Sequence, residues 1–348
     1  MRAVIYTGDQ TVRVDDVAEP KVQDARDAVV RVTKTSICAS DLHLLSGKTP
    51  GMRAGSVIGH EFVGTIADAG EDAGLSEGDR VLGSFLIACG RCAACIDGRF
   101  NHCVERRALG LGEFTGDLDG AQAELVRVPY ADINLRSIPE KEVPLNDEQA
   151  LFSGDILATG FYASSLARIS PDDVVVIIGA GPIGLCSALA SGLKGARRVL
   201  VFDANPRRVE FALALGLDVI DVSTEPAESA ARAASEAGAD VAIAAVGSID
   251  AFKSAMKCVR DGGRVVVAGV YGAERYGLSM GMTWLRGLDL SFTGMANVQG
   301  HWGEALDATV QQKINPAQLI THRLSLDDAV EGYDLFGSRV AMKVVLTP

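Results

Sequence analysis

The chain has 348 residues, 48% hydrophobic and 22% charged, so it is long enough for two domains with their own cores and ordinary for a soluble globular protein. A formal net charge of −12 opposes binding to DNA, RNA or an anionic bilayer, all of which need basic surface. The first residues, Met1-Arg2-Ala3-Val4-Ile5-Tyr6, run straight into a strand pattern without the layout of a secretory signal, so a cytoplasmic location is expected.

Short alternating strands are predicted at residues 3–6, 12–14, 28–33 and 61–67, with glycine-containing turns that suit a β-rich, partly barrel-like domain. Cys38-Ala39-Ser40-Asp41-Leu42-His43 follows the third of these strands. A lone cysteine there would ordinarily be a small buried hydrophobe. About twenty residues on, however, His60 and Glu61 lie between the apolar pairs Val57-Ile58 and Phe62-Val63, where unpaired polar groups are costly. A metal removes that cost, and thiolate with imidazole and a carboxylate is a zinc-type ligand set. Gly59-His60-Glu61, Gly64, Gly70 and Ala73 reproduce the zinc signature GHExxGx(5)Gxx plus a small residue, and in this the chain resembles the zinc-containing medium-chain alcohol dehydrogenases. The likeness runs through the whole chain, with the elements in the same order.

Cys89, Cys92, Cys95 and Cys103 hold four of the seven cysteines within fifteen residues. In a cytosolic chain such clustering indicates metal rather than disulfides. Four thiolates close a tetrahedral site with no open position, so this zinc would be structural; the four match the family's structural-zinc cysteines. A nucleic-acid-binding knuckle is the rival reading. Arg91, Arg99, Arg106 and Arg107 supply positive charge around the loop, but no aromatic stacking platform is evident and the chain is acidic.

Residues 122–129 read as a further strand, and Asn146 opens a helical stretch with Gln149 at capping-box spacing. Asp155 is a single acid within the apolar run 152–161 and needs a partner. The resemblance supplies one, because the family places its third catalytic-zinc ligand here. It thereby implies a site of Cys38, His60 and Asp155, with Glu61 behind the metal or ligating it in some states. It further implies Ser40 as the relay hydroxyl, His43 as the relay histidine, Phe85 as a pocket aromatic and Thr159 beside the nicotinamide. Asp41 suits an orienting role toward the ligating imidazole. Where several relatives have a basic residue on the pyrophosphate, this chain has Ala39, which leaves phosphate binding to backbone amides. Trp302 and Leu109 are further candidate neighbours of the pocket.

Residues 174–203 combine an apolar run, a glycine turn, a helix pattern, a second apolar run and an acid. Gly179, Gly181 and Gly184 form GxGxxG, with Pro182 and Ile183 inside it, and Asp203 stands where both adenosine ribose hydroxyls would be accepted. The helix start directs free N–H groups at a pyrophosphate. Residues 174–193 carry no charge and are long enough for a membrane span, but the glycines and Pro182 argue for a buried strand and a packed helix. Asp203 disfavours the 2′-phosphate of NADP, so NAD is expected; Arg207 could serve that phosphate, while Arg208 matches a basic position of NAD-using relatives. Further strands at 240–247, 263–270 and 288–294 complete a doubly wound sheet. By resemblance, Val246, Ala268, Gly269, Val270 and Gly294 border the nicotinamide. Cys186 and Cys258 read as core residues.

The expected fold is α/β: a Rossmann doubly wound parallel sheet over 157–294, plus a β-rich GroES-like catalytic domain over 1–156 and 295–348 that carries the structural-zinc loop 89–103. The expected function is a zinc-dependent alcohol dehydrogenase with two Zn2+ per chain. It would exchange hydride between NAD and a primary or secondary alcohol, or its aldehyde or ketone. Alternatives are a polyol, sugar-alcohol or formaldehyde dehydrogenase-like enzyme, and, in another class, a non-catalytic zinc-scaffolded nucleotide-binding protein. Residues 288–294 are apolar enough to pair edge to edge as in relatives, so a homodimer or homotetramer is expected.

Overall fold

The computed structural model describes residues 1–47, 51–139, 145–272 and 275–348. The chain separates into two compact units, Met1–Ala158 with Met295–Pro348, and Thr159–Gly294.

In the first unit a seven-stranded sheet runs in the order Ile320–Ser325, Lys343–Thr347, Ala28–Ser36, Glu61–Ala69, Arg80–Gly83, Leu135–Ser137, with Leu125–Val128 also pairing the Ala28–Ser36 strand. That central strand changes neighbour along its length. Ala28 to Arg31 pair with Val128 to Leu125, whereas Thr35 and Ser36 pair with Leu346 and Val345. Register shifts at Val29/Val30 and Val32/Lys34 let it roll from one partner to the other. The roll extends the strand beyond the predicted 28–33 and sets Ser36 opposite both Glu61 and Val345. The strand read at 122–129 is confined to Leu125–Val128, because Gln122 is drawn inside the unit.

In the second unit six parallel strands lie in the order Asp218–Asp221, Arg198–Asp203, Val174–Ile178, Ala239–Ala244, Val259–Val267, Asp289–Phe292. Every residue of Val174–Ile178 is buried, as befits a central parallel strand covered on both faces. The order reverses between this strand and Ala239–Ala244, which makes their carboxyl ends the switch point where such sheets bind ligands. The uncharged stretch 174–193 divides into that strand and the helix Pro182–Leu193. Among the described residues no helix is long and apolar enough to cross a membrane.

Candidate active site

Cys38 ends the approach from the central strand and starts the short helix Ala39–Leu45, while His60 immediately precedes the strand Glu61–Ala69. Asp155 stands where the 3-10 turn Phe152–Gly154 gives way to the helix Ile156–Leu166. Gly154 makes that approach close: a Cβ there would lie 2.1 Å from the carbonyl oxygen of Gly83. Three segments far apart in sequence therefore bring one donor each to a single point. Cys38 Sγ is 3.7 Å from Asp155 Oδ2, His60 Nε2 is 3.5 Å from the same oxygen, and the three donor atoms lie within 4.8 Å of one another. Ligands around a tetrahedral zinc stand roughly 3–4 Å apart, so the spacing suits that ion.

The electrostatics suit it too. All three residues are buried, and burial, with Glu61 and Asp155 nearby, pushes the Cys38 thiol up. A dication among the donors would hold the thiolate and satisfy the clustered acids together.

Around this point the helix start carries Ser40, whose Oγ is 3.1 Å from His60 Nε2, and His43, one turn further on and partly buried. Asp41, at the third helical position, accepts the Cys38 N–H at 2.9 Å and lies 3.2 Å from His60 Nδ1. Phe85 sets its ring edge-on to His60 with centroids 6.0 Å apart. Leu109 is wholly buried in the first unit's core, and Trp302 is buried with Arg136 over its ring at 5.8 Å. Ala39 is exposed.

Glu61 has a partner that sequence reasoning missed. Its carboxylate accepts from Ser36 Oγ and pairs with the ammonium of Lys343, which also donates to the Ile37 carbonyl at 2.9 Å and sits 5.2 Å from the Phe152 ring centre. Burial lifts the Glu61 carboxyl to about 7, although Lys343 acts in the opposite direction. A signal was present: Lys343 is the single charge in an apolar strand, the same feature that singled out Asp155.

Cys89, Cys92, Cys95 and Cys103 likewise place their sulfurs within 4.8 Å of one another. Cys103 Sγ accepts the N–H groups of Cys89 and Glu105, each at 3.3 Å. The backbone N–H groups of Val104 and Cys95 pull the Cys92 thiol down to about 6, whereas burial pushes Cys95 up to about 12. An aromatic residue does accompany the arginines of this loop, contrary to the sequence reading. It is Tyr130, with Arg26 4.8 Å from its ring centre and Arg91 and Arg107 each at 5.9 Å. The ring is thus already occupied, its hydroxyl donates to Glu105, and Arg99 is paired with Asp97.

In the second unit the glycine turn follows Val174–Ile178 directly. Gly179 has φ of 104°, which a side chain would resist. A Cβ on Gly184 would lie 1.8 Å from the Gly179 carbonyl oxygen, so only glycine lets the helix approach. At Gly181 a Cβ would meet nothing nearer than the Arg208 guanidinium at 3.7 Å, which leaves room for a phosphate. Pro182 and Ile183 open the helix. Asp203 accepts the Ala180 N–H at 2.7 Å and the Asn205 N–H at 2.8 Å, and Arg208 lies 3.9 Å away. A carboxylate has about four acceptor sites, so Asp203 braces the turn and can still accept from a ribose. Val246 packs over Gly179, and Gly269 packs against the Val246 backbone; both follow adjacent strand ends, as does Ala268, whose N–H bonds Ala244. Val270 is half exposed, Gly294 turns with φ of 56° beyond the last strand, and Thr159 is buried.

Comparison with known proteins agrees with this arrangement. The alcohol dehydrogenase GroES-like domain family matches residues 24–140, and the zinc-binding dehydrogenase family matches residues 182–311. An uncharacterized zinc-type alcohol dehydrogenase-like protein, AdhB, of Bacillus subtilis is 33% identical, with 100% of each chain covered. A glutathione-independent formaldehyde dehydrogenase of Pseudomonas aeruginosa is 30% identical, over 100% of this chain and 97% of its own. Among solved structures, the alcohol dehydrogenase TADH from Thermus sp. ATN1 superimposes with a TM-score of 0.94 at 38% identity, covering 100% of this chain and 99% of that one.

Proposed function

This chain belongs to the zinc-containing medium-chain alcohol dehydrogenase family, a family of zinc-dependent oxidoreductases that use a nicotinamide cofactor, and from that premise we propose a specific reaction for it. It oxidises a primary or secondary alcohol to the aldehyde or ketone with NAD, reversibly. The observation that carries this reading is the convergence of Cys38, His60 and Asp155 on one buried point with a hydroxyl, Ser40, beside it.

Those three residues would hold the catalytic zinc and leave one position for substrate; Cys89, Cys92, Cys95 and Cys103 would hold a second, structural zinc. When bound, zinc supplies Lewis acidity that eases loss of the alcohol proton, and nicotinamide accepts the hydride. Ser40 receives that proton and His43 passes it toward water, since a hydroxyl relays protons readily and imidazole titrates near working pH. Phe85 covers the pocket with an apolar edge, which favours a neutral substrate. Asp203 receives the adenosine ribose hydroxyls and repels a 2′-phosphate, so NAD is the cofactor. Four cysteines gathered as a metal-type cluster rather than paired suit a reducing compartment, the cytoplasm. The active form is a homodimer or homotetramer.

A second reading within the same chemistry, a formaldehyde dehydrogenase-like enzyme, is favoured by the Pseudomonas aeruginosa relative and by the segment Gly154-Asp155-Ile156-Leu157-Ala158-Thr159-Gly160.

The test is a panel of alcohols and formaldehyde with NAD and with NADP, run beside zinc quantification. Two zinc ions per chain and a substrate-dependent rise in NADH absorbance are expected. Asp155→Ala should lose one zinc and the activity while keeping the four-cysteine zinc. Retention of both metals would remove Asp155 from the site. NAD binding without turnover of any substrate would favour a non-catalytic nucleotide-binding protein.

A further inference from the structure

Behind His60, on its Nδ1 side, a line of buried polar groups leads away from the metal point. Asp41 Oδ1 faces His60 Nδ1 at 3.2 Å. The other oxygen, Oδ2, accepts the Cys38 N–H at 2.9 Å and one hydrogen of the Gln122 amide at 3.2 Å. The second amide hydrogen goes to the Ser36 carbonyl at 3.2 Å, and Gln122 Oε1 accepts the Tyr333 hydroxyl at 2.8 Å. All four side chains are buried.

Both amide hydrogens of Gln122 thus meet groups that can only accept, which settles the orientation of its amide. Turned over, the amide would set its oxygen against the Asp41 carboxylate and the Ser36 carbonyl, bringing three acceptors together. The backbone is shaped to admit this side chain. Gly59, the residue before the ligand, has φ of 88°, and a Cβ there would lie 2.3 Å from Gln122 Cγ.

We propose that Gln122 and Tyr333 are positioning residues for the catalytic metal. The Asp41 carboxylate and the Ser36 carbonyl select the amide orientation, the Tyr333 hydroxyl then satisfies the amide oxygen, the amide pins the Asp41 carboxylate, and Asp41 holds the His60 ring with Nδ1–H inward and Nε2 toward the metal. Remote partners of this kind are worth about 10–100-fold in metal affinity when they bond the ligand directly, and less with each further step. The inference rests on Cys38, His60 and Asp155 being a metal site.

The experiment compares the full-length zinc protein with Gln122→Leu and Tyr333→Phe. Release of zinc to a chelator is followed, with the four-cysteine zinc as the internal reference, and the visible bands are recorded after cobalt(II) replaces the catalytic zinc. Gln122→Leu should weaken retention of the catalytic metal by up to about 10-fold and shift the cobalt bands. Tyr333→Phe, which removes one oxygen and leaves the ring packing intact, should weaken retention in the same direction by a smaller factor, about 2-fold. The four-cysteine zinc should be released at the parental rate in both, which a general loosening of the fold would not give. If both variants hold the catalytic metal as tightly as the parent, with unchanged bands, the proposal is overturned and the site reading stands. A parent protein without metal at Cys38, His60 and Asp155 would overturn both.

Discussion

A lysine ammonium taken wholly out of water costs several kcal/mol unless a close opposite charge and further acceptors replace its hydration. Lys343 has both, in Glu61 and the Ile37 carbonyl, so the acid next to His60 is held by a neighbour 282 positions away. Removing one member of such a pair leaves an uncompensated buried charge. Lys343→Met should therefore destabilise the protein by about 3–5 kcal/mol, read as a lower midpoint in denaturant unfolding; an unchanged midpoint would mean that Glu61 does not depend on it. Ser40 is a different case, because its hydroxyl is only partly buried and lies 3.1 Å from His60 Nε2. Ser40→Ala should reduce turnover about 100-fold or more while NAD affinity stays at the parental value. Equal turnover would take Ser40 out of the mechanism. The four cysteines stood out by spacing and His60 and Asp155 as polar groups in apolar runs, while the resemblance grouped Cys38, His60 and Asp155; the structure gathers the donors of each group within 4.8 Å. Asp41 beside His60 was expected as well, but Lys343, Gln122 and Tyr333 were not, because a hydrogen bond leaves no periodic trace in sequence.

At the scale of elements, the strand–turn–helix from Val174 to Leu193 is where local rules and the final structure agree most closely. Each glycine of the turn answers a separate demand, one for a positive φ, one for open space and one for contact between helix and turn. Gly184→Ala would force a Cβ against the Gly179 carbonyl. It should cost about 1–3 kcal/mol of stability and weaken NAD binding at least 10-fold in a fluorescence titration. Parental affinity would show that the turn yields without moving the phosphate site. Element boundaries were less legible. The Ala28–Ser36 strand outruns its predicted end because bulges pass it to a new neighbour, and no run of side-chain types encodes which neighbour that is.

At the scale of the whole molecule the open matter is assembly. The Asp289–Phe292 strand forms one edge of the parallel sheet, and the short helix Met280–Leu285 precedes it in the chain. Together they expose Phe292 (63%), Trp284 (81%), Met280 (70%) and Leu285 (69%). An unpaired edge flanked by apolar side chains is a liability in a monomer. A second copy related by a two-fold axis would cover both with the same surface. Trp284→Glu should then shift the protein toward monomer in sedimentation equilibrium, and a parent already monomeric at micromolar concentration would dismiss this edge as the interface.

By itself the amino-acid sequence determined the two-unit plan and the glycine turn and singled out the four clustered cysteines, because each depends on residue type at fixed spacing; it marked Asp155 as an acid in need of a partner, and only the family resemblance joined that residue to Cys38 and His60. Only the tertiary structure decided who stands behind those residues. Lys343 beneath Glu61, Gln122 and Tyr333 behind Asp41, and Tyr130 among the arginines all meet through the rolling of one strand and the packing of distant segments. Such meetings follow from three-dimensional closure, in which proximity is set by which faces the core brings together and hardly at all by separation along the chain.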